Sequence, residues 1–194
     1  MNNILFITGI FMVLFTNEII AQRSHSELHE SNEKRENKRE IKKRQRAAAL
    51  NEIANLARTK QWAIQADIIT IPYYGSYQFN PNSRLNFLML DDDHLVVQIV
   101  LDEFDNSDDW IVRIWRDCSW SAKIENYEVD LSKKSVNISM KRGAGYGPPQ
   151  YYLYINSTGR AKAIIGINNT LHLSGEFIPL NQADIYLREL KKEY

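Results

Sequence analysis

From Tyr151 to Leu180 the chain reads YYLYINSTGRAKAIIGINNTLHLSGEFIPL, and its hydrophobic period is two. Ala161, Ala163, Ile165 and Ile167 share one parity, as do Leu171, Leu173 and Phe177. Successive side chains of a strand point to opposite faces, so these residues are expected in a core and Lys162, His172 and Glu176 in solvent. Of the adjacent Tyr151 and Tyr152, one should be buried and the other exposed. Ser157-Thr158-Gly159 and Asn168-Asn169 punctuate the runs with residues that accept turn conformations. The stretch predicts strands joined by tight connections, with no room for crossover helices.

Working backward, Val136, Ile138 and Met140 alternate in the same way, with Asn137 and Ser139 facing out. In SWSAKIENYEVDL the alternation slips: Trp120, Ala122 and Ile124 hold one parity, and Tyr127, Val129 and Leu131 the other. A bulge or bend near Glu125-Asn126 reconciles the two halves. WAIQAD, DIITIPYY, RLNFLMLD, HLVVQIVL and DWIVRIWRD are further short runs rich in β-branched and aromatic residues. The prediction is a mainly β domain, an antiparallel β-sandwich or flattened barrel of about eight to ten strands. Ile185, Leu187 and Leu190 in the tail 182–194 predict a short closing helix.

The composition breaks at Trp62. Between Gln22 and Gln61 there is no aromatic residue, glycine or proline, whereas every tryptophan, tyrosine and proline follows. Residues 22–46 read as a charged helical or disordered arm, because Ile41 is the only sizeable apolar residue between Leu28 and Ala47. From Ala47, Leu50, Ile53, Ala54 and Ala57 recur at helical spacing, which predicts a helix over 47–60 leading into a single domain, 47–194. Upstream, Ile4 to Phe15 is an apolar run too short to span a bilayer and suited to a signal peptide over 1–21. The chain is therefore expected to be exported by a cleaved signal, periplasmic or secreted and not a lipoprotein, with no stable membrane insertion afterward. Its formal net charge is zero. Eleven Lys and Arg against six Glu make 22–60 basic, and thirteen against seventeen make 61–194 mildly acidic. A basic arm suits anionic lipid, and export leaves nucleic acid out.

No catalytic constellation is readable. The single cysteine, Cys118, has no partner for a disulfide and no adjacent base. Asp91-Asp92-Asp93 and the acidic run 102–109 lack the glycine of a calcium loop, so they read as turns. Gly143 to Pro149 has alternating glycines but a diproline and a strand after them, not the helix of a phosphate loop. The four histidines do not cluster, and neither a metal nor a cofactor is expected. Aromatic residues are the remaining candidates: Tyr73, Tyr74, Trp110, Trp115, Tyr146 and Tyr152 could stack on a sugar or line an apolar cavity. Ordinary cross-strand packing accounts for the same residues with no ligand.

The succession KQWAIQAD, RLNFLMLDDDHLVVQIVL, WSAKIENYEVDLSKKSVNISMKR and YYLYINSTGRAKAIIGINNTLHLSGEFIPL resembles an exported family of Gram-negative bacteria, domain of unknown function 4251. The resemblance covers about 56–180, and its most specific parts are 62–67 and 155–180. It implies an export or lipoprotein signal, a helical lead-in and a mostly antiparallel β domain, with no established activity to carry over. The chain departs at LDEFDNSDDW, 101–110, where relatives tend to have glycine-rich sequence. The functional expectation is a non-catalytic binding module of the envelope for an apolar or glycan ligand, or for an envelope protein. A structural protein acting through its basic arm is the alternative, and a hydrolase a weaker one.

Overall fold

Nine strands follow one another in the computed structural model, which describes residues 33–72, 77–101, 117–145, 147–166 and 171–187. They are β1 (Gln61–Ile71), β2 (Tyr77–Phe79), β3 (Phe87–Asp91), β4 (His94–Val100), β5 (Asp117–Leu131), β6 (Ser135–Gly145), β7 (Gln150–Asn156), β8 (Arg160–Ile165) and β9 (Leu171–Pro179). Every pairing is antiparallel, and β9 returns to pair with β1. Eight strands thus close into a barrel, with β2 added beyond β3 on the same edge of β1. Of the two architectures open to the sequence, the barrel is the one formed. Closure leaves no long unpaired edge, which removes the aggregation hazard of an open sheet.

An eight-stranded barrel is just narrow enough for side chains to fill. Ile64, Ile69, Leu88, Val97, Ile99, Val136, Leu153, Ala163 and Leu173 all point inward with zero accessible surface. A void wide enough for water would leave accessible area on its walls. These nine have none, so the barrel is tightly packed around them. The parity assignments hold: Val136, Ile138, Met140, Ala161, Ala163, Ile165, Leu171, Leu173 and Phe177 are buried. Ile167 lies outside the described residues.

Curvature comes from two irregularities. On β5 the register with β6 shifts around Ile124, leaving Glu125 without an opposite residue, so of a bulge or a bend it is a bulge that takes up the phase slip. On β1 a second shift lies between Ala66 and Ile68, which moves the inward parity from Ile64 and Ala66 to Ile69 and Ile71. There the backbones come close. A side chain on Gly175 of β9 would place its Cβ 1.9 Å from the Gln65 carbonyl oxygen, so only glycine fits.

One wall of the barrel is covered on its outside. Outward-facing Ala63, Phe87 and Val96 are buried, and so are the amides of Asn86 and Gln98. The Asn86 side chain donates to the carbonyls of Asn82 and Val100 and accepts from Val100 N–H, which fastens the turn 80–86 to β4. Gln98 donates to the carbonyls of Leu85 and Tyr186, and Gln65 to that of Asp184. The segment after β9 therefore lies across β1, β3 and β4. It is not the closing helix predicted over 182–194. Only Leu180–Gln182 makes a 3-10 turn, 183–187 is non-helical, and 188–194 lie outside the described residues. The carbonyls of Asp184 and Tyr186 accept from Gln65 and Gln98, which ties the segment down onto β1 and β4.

Residues 33–59 are helical. The chain divides into two compact units, Met1–Arg46 and Ala47–Tyr194. In the first, 33–46 are exposed throughout. In the second, Leu50, Ala54 and Ala57 enter the core, with Ile53 and Leu56 packed against it. Lys60 stops the helix in a left-handed conformation, φ 57°, and its carbonyl accepts from Asp92 N–H. Tyr127 then joins three elements: its hydroxyl donates to the Ala57 carbonyl at 2.6 Å and accepts from Trp62 Nε1 at 3.0 Å. Among the described residues no helix is long and apolar enough to cross a membrane. The apolar run 4–15 and the signal-peptide reading fall outside the described residues.

Candidate functional site: the tyrosine face

The opposite wall, β5 to β7, carries its outward residues in the open. Alternation along β7 buries Tyr151, Leu153 and Ile155 and leaves Tyr152 and Tyr154 as exposed large aromatics, 39% and 47% accessible. Two residues apart on one strand, the tyrosines stand roughly 7 Å apart on the same face. The register aligns each with a polar row. Tyr152 is opposite Ser139, which is opposite Glu128; Tyr154 is opposite Asn137, which is opposite Asp130.

The polar rows are loosely joined. Ser139 Oγ donates to Glu128 at 3.5 Å, and Asn137 Nδ2 to Asp130 at 3.4 Å, both at the long limit of a hydrogen bond. Both carboxylates are exposed and retain acceptor positions for another donor. The Tyr152 hydroxyl donates to Gln150 Oε1 at 2.9 Å, which lays its ring along its own strand. Two shallow grooves run over this surface. One, of about 100 Å³, is lined by residues including Asp130, Asn137 and Tyr154; the other, of about 170 Å³, by Asn126, Lys141 and Met140; Glu128, Ser139 and Tyr152 border both. These volumes are below the roughly 300–1,000 Å³ of a pocket that encloses a ligand. The surface suits recognition of one side of a molecule.

The face rests on a firm base. Beneath it, Tyr151 has zero accessible surface and its hydroxyl accepts from Trp120 Nε1 at 2.8 Å; burial pushes that hydroxyl's pKa up, against the opposing hydrogen bond. Gly147, at φ 95°, passes so close to the Trp120 ring that a Cβ there would meet it at 2.3 Å. On the far flank Arg160 grips Asp67 with both guanidinium nitrogens, which holds the carboxyl below its ordinary pKa despite partial burial. His172, aligned with Ile164 and so with the Tyr152 row, has a buried Nε2 without a hydrogen-bond partner, and burial lowers its pKa.

Of the six residues singled out by sequence, Tyr152 is on this face. Tyr73, Tyr74, Trp110, Trp115 and Tyr146 lie outside the described residues, as do the acidic run 102–109 and the side chain of Cys118. Asp91-Asp92-Asp93 forms the β3–β4 hairpin, with Asp92 left-handed at φ 54° and Asp93 paired with Lys123 at 3.2 Å. Among the described residues no three His, Cys, Asp or Glu side chains are grouped to hold a metal ion. Sequence reasoning named Tyr154 beside Tyr152 and turned Asn137 and Ser139 outward, but did not bring them together with Glu128 and Asp130 as one surface. The alternation that exposes Tyr152 also exposes Tyr154, but the alignment of β5, β6 and β7 is a matter of register.

No family model matches the chain, and no curated protein matches it in sequence. Among solved structures it is similar to a DUF4251 family protein from Bacteroides eggerthii, 17% identical, with a TM-score of 0.55 over 73% of this chain and 95% of that one. At that identity the likeness is one of fold. The resemblance read from the sequence and the structural neighbour name the same family.

Proposed function

We propose that the domain is an exported, non-catalytic binding module that takes a glycan on the face of Tyr152 and Tyr154. The observation that carries this reading is the pair of exposed tyrosines on one strand, each aligned across two strands with a hydroxyl or amide and then a carboxylate. A pyranose presents C–H groups on its flat side and hydroxyls at its edge. An aromatic ring takes the first by contact with its negative face, and Glu128 and Asp130 take the second as acceptors. The tight packing around Ile64, Leu88, Val97, Val136, Leu153 and Leu173 favours the outer face as the place for a ligand. Export follows from the apolar run 4–15 and the polar residues after it.

The test is a screen of soluble oligosaccharides by calorimetry, with Tyr152→Ala and Tyr154→Ala beside the unaltered chain. Loss of either ring should weaken binding roughly tenfold, the value of one aromatic contact of about 1.5 kcal/mol. A glycan bound equally well by the double variant, or no glycan bound at all, would overturn the assignment. Intact-mass measurement of the exported protein tests the signal: loss of residues 1–21 is expected.

A further inference from the structure

The exposed helix 33–46 segregates its charges. At 3.6 residues per turn, Arg35, Lys38, Arg39, Lys42 and Arg46 fall at i, i+3, i+4, i+7 and i+11 and share an arc of about 100°. No acidic residue falls within that arc. Glu33, Glu36 and Glu40 occupy an arc of about 60° on the opposite side, where Lys43 lies 3.6 Å from Glu40. The glutamates therefore lower the net charge of the segment from the side away from the stripe. Of the remaining cations, Arg44 stands on the acidic side, four residues after Glu40, and Lys34 and Lys43 flank the stripe, so the acidic residues of 33–46 are confined to one side and the stripe is clear of them.

We infer that the basic stripe is a docking surface for an anionic membrane, with lipid phosphates as its partner. Charge complementarity is the argument: five cations spread over about 16 Å of helix meet a plane of phosphates side-on, each contributing through attraction to the negative surface. The geometry also sets the mode. Ile41, 50% exposed, is the one large apolar residue of 33–46, so the helix has no apolar face to insert and lies on the headgroups by charge alone. The membrane is favoured over nucleic acid because the apolar run 4–15 directs the chain to a bilayer. This inference does not depend on the glycan reading, which concerns the other unit.

The experiment is co-sedimentation of the purified chain with vesicles of phosphatidylcholine alone and of phosphatidylcholine with 30% phosphatidylglycerol, so that any insertion by residues 4–15 counts equally in both. The anionic vesicles should bind at least tenfold more tightly at 50 mM salt, and the excess should vanish at 500 mM. Reversing the stripe with Arg35→Glu, Lys38→Glu, Arg39→Glu and Lys42→Glu should abolish the excess and leave the melting temperature unchanged. Neutralising the other arc with Glu33→Gln, Glu36→Gln and Glu40→Gln should strengthen it. Equal binding to both vesicles, an excess that survives the reversal, or tighter binding to duplex DNA than to the anionic vesicles would each overturn the proposal.

Discussion

β4 and β7 are both seven residues long, yet β4 is buried from its second residue to its last while β7 alternates buried and exposed. They stand three strands apart around one barrel. β4 has the core on one side and the chain after β9 on the other; β7 has the core on one side and solvent on the other. The sequences differ accordingly: HLVVQIV is almost continuously apolar, and QYYLYIN inserts a polar or amphipathic residue at alternate positions. A wall covered on both faces is available only for stability. A wall covered on one face is available for recognition, and the tyrosine face is there.

The contrast yields predictions that fall in size from the core to the open wall. Trp62, with no accessible surface, packs against Phe177 and donates to Tyr127. Trp62→Ala should cost about 3–5 kcal/mol in chemical denaturation, through the void and the lost partner. A cost under 1 kcal/mol would show that the covered wall is not where stability resides. Gly175→Ala follows at about 3 kcal/mol, because its Cβ would meet backbone atoms of Gln65 and Ala66 that cannot swing aside.

Gln98→Met, near in volume but without the amide, should cost about 2 kcal/mol by removing the hydrogen bonds to two part-buried carbonyls. Its sharper signature is local: amide hydrogen exchange should rise around 183–187 and in β4, and stay unchanged in β6 and β7. Exchange rising equally in both walls would erase the distinction between them.

Tyr127→Phe should cost about 1 kcal/mol at neutral pH, since Trp62 Nε1 and the Ala57 carbonyl lose a shared partner. Burial pushes the Tyr127 hydroxyl up to about 12 from the usual 10.0, with the hydrogen bond from Trp62 opposing. The folded pKa is above the unfolded one. The stabilisation is therefore present below pH 10 and is lost as pH rises through about 10 to 12. Unfolding free energy measured across that window should fall less steeply in the phenylalanine variant; identical slopes would contradict the burial of the hydroxyl. Tyr152→Ala and Tyr154→Ala, on the open wall, should change stability by no more than about 0.5 kcal/mol.

Much of the open wall was legible in the sequence. Strict alternation separated Tyr151 from Tyr152, and the phase slip between Ile124 and Tyr127 located a bulge or bend, because a period of two cannot run unbroken through both halves. The covered wall was less legible. The apolar spacing of Ile185 and Leu187 reads as helix, yet in the fold Asp184 and Tyr186 give their carbonyls to Gln65 and Gln98, residues more than eighty positions away in the chain. Nor could alternation choose between sandwich and barrel: both bury one face of each strand, and they differ in whether β9 reaches β1.

The sequence by itself determined most of the strands that the structure describes, their inward parity, the basic arm and the resemblance to a β family, all of which rest on neighbours a few residues apart; WAIQAD and DIITIPYY proved to be one strand, and DWIVRIWRD lies almost wholly outside the described residues. Only the tertiary structure decided that the sheet closes, that the tail covers β1, β3 and β4, and that Tyr152 and Tyr154 share a face with Glu128, Asp130, Asn137 and Ser139. Those facts are matters of register and long-range pairing. They depend on which backbone groups and apolar faces remain to be satisfied once the local elements have formed, and no periodicity encodes that.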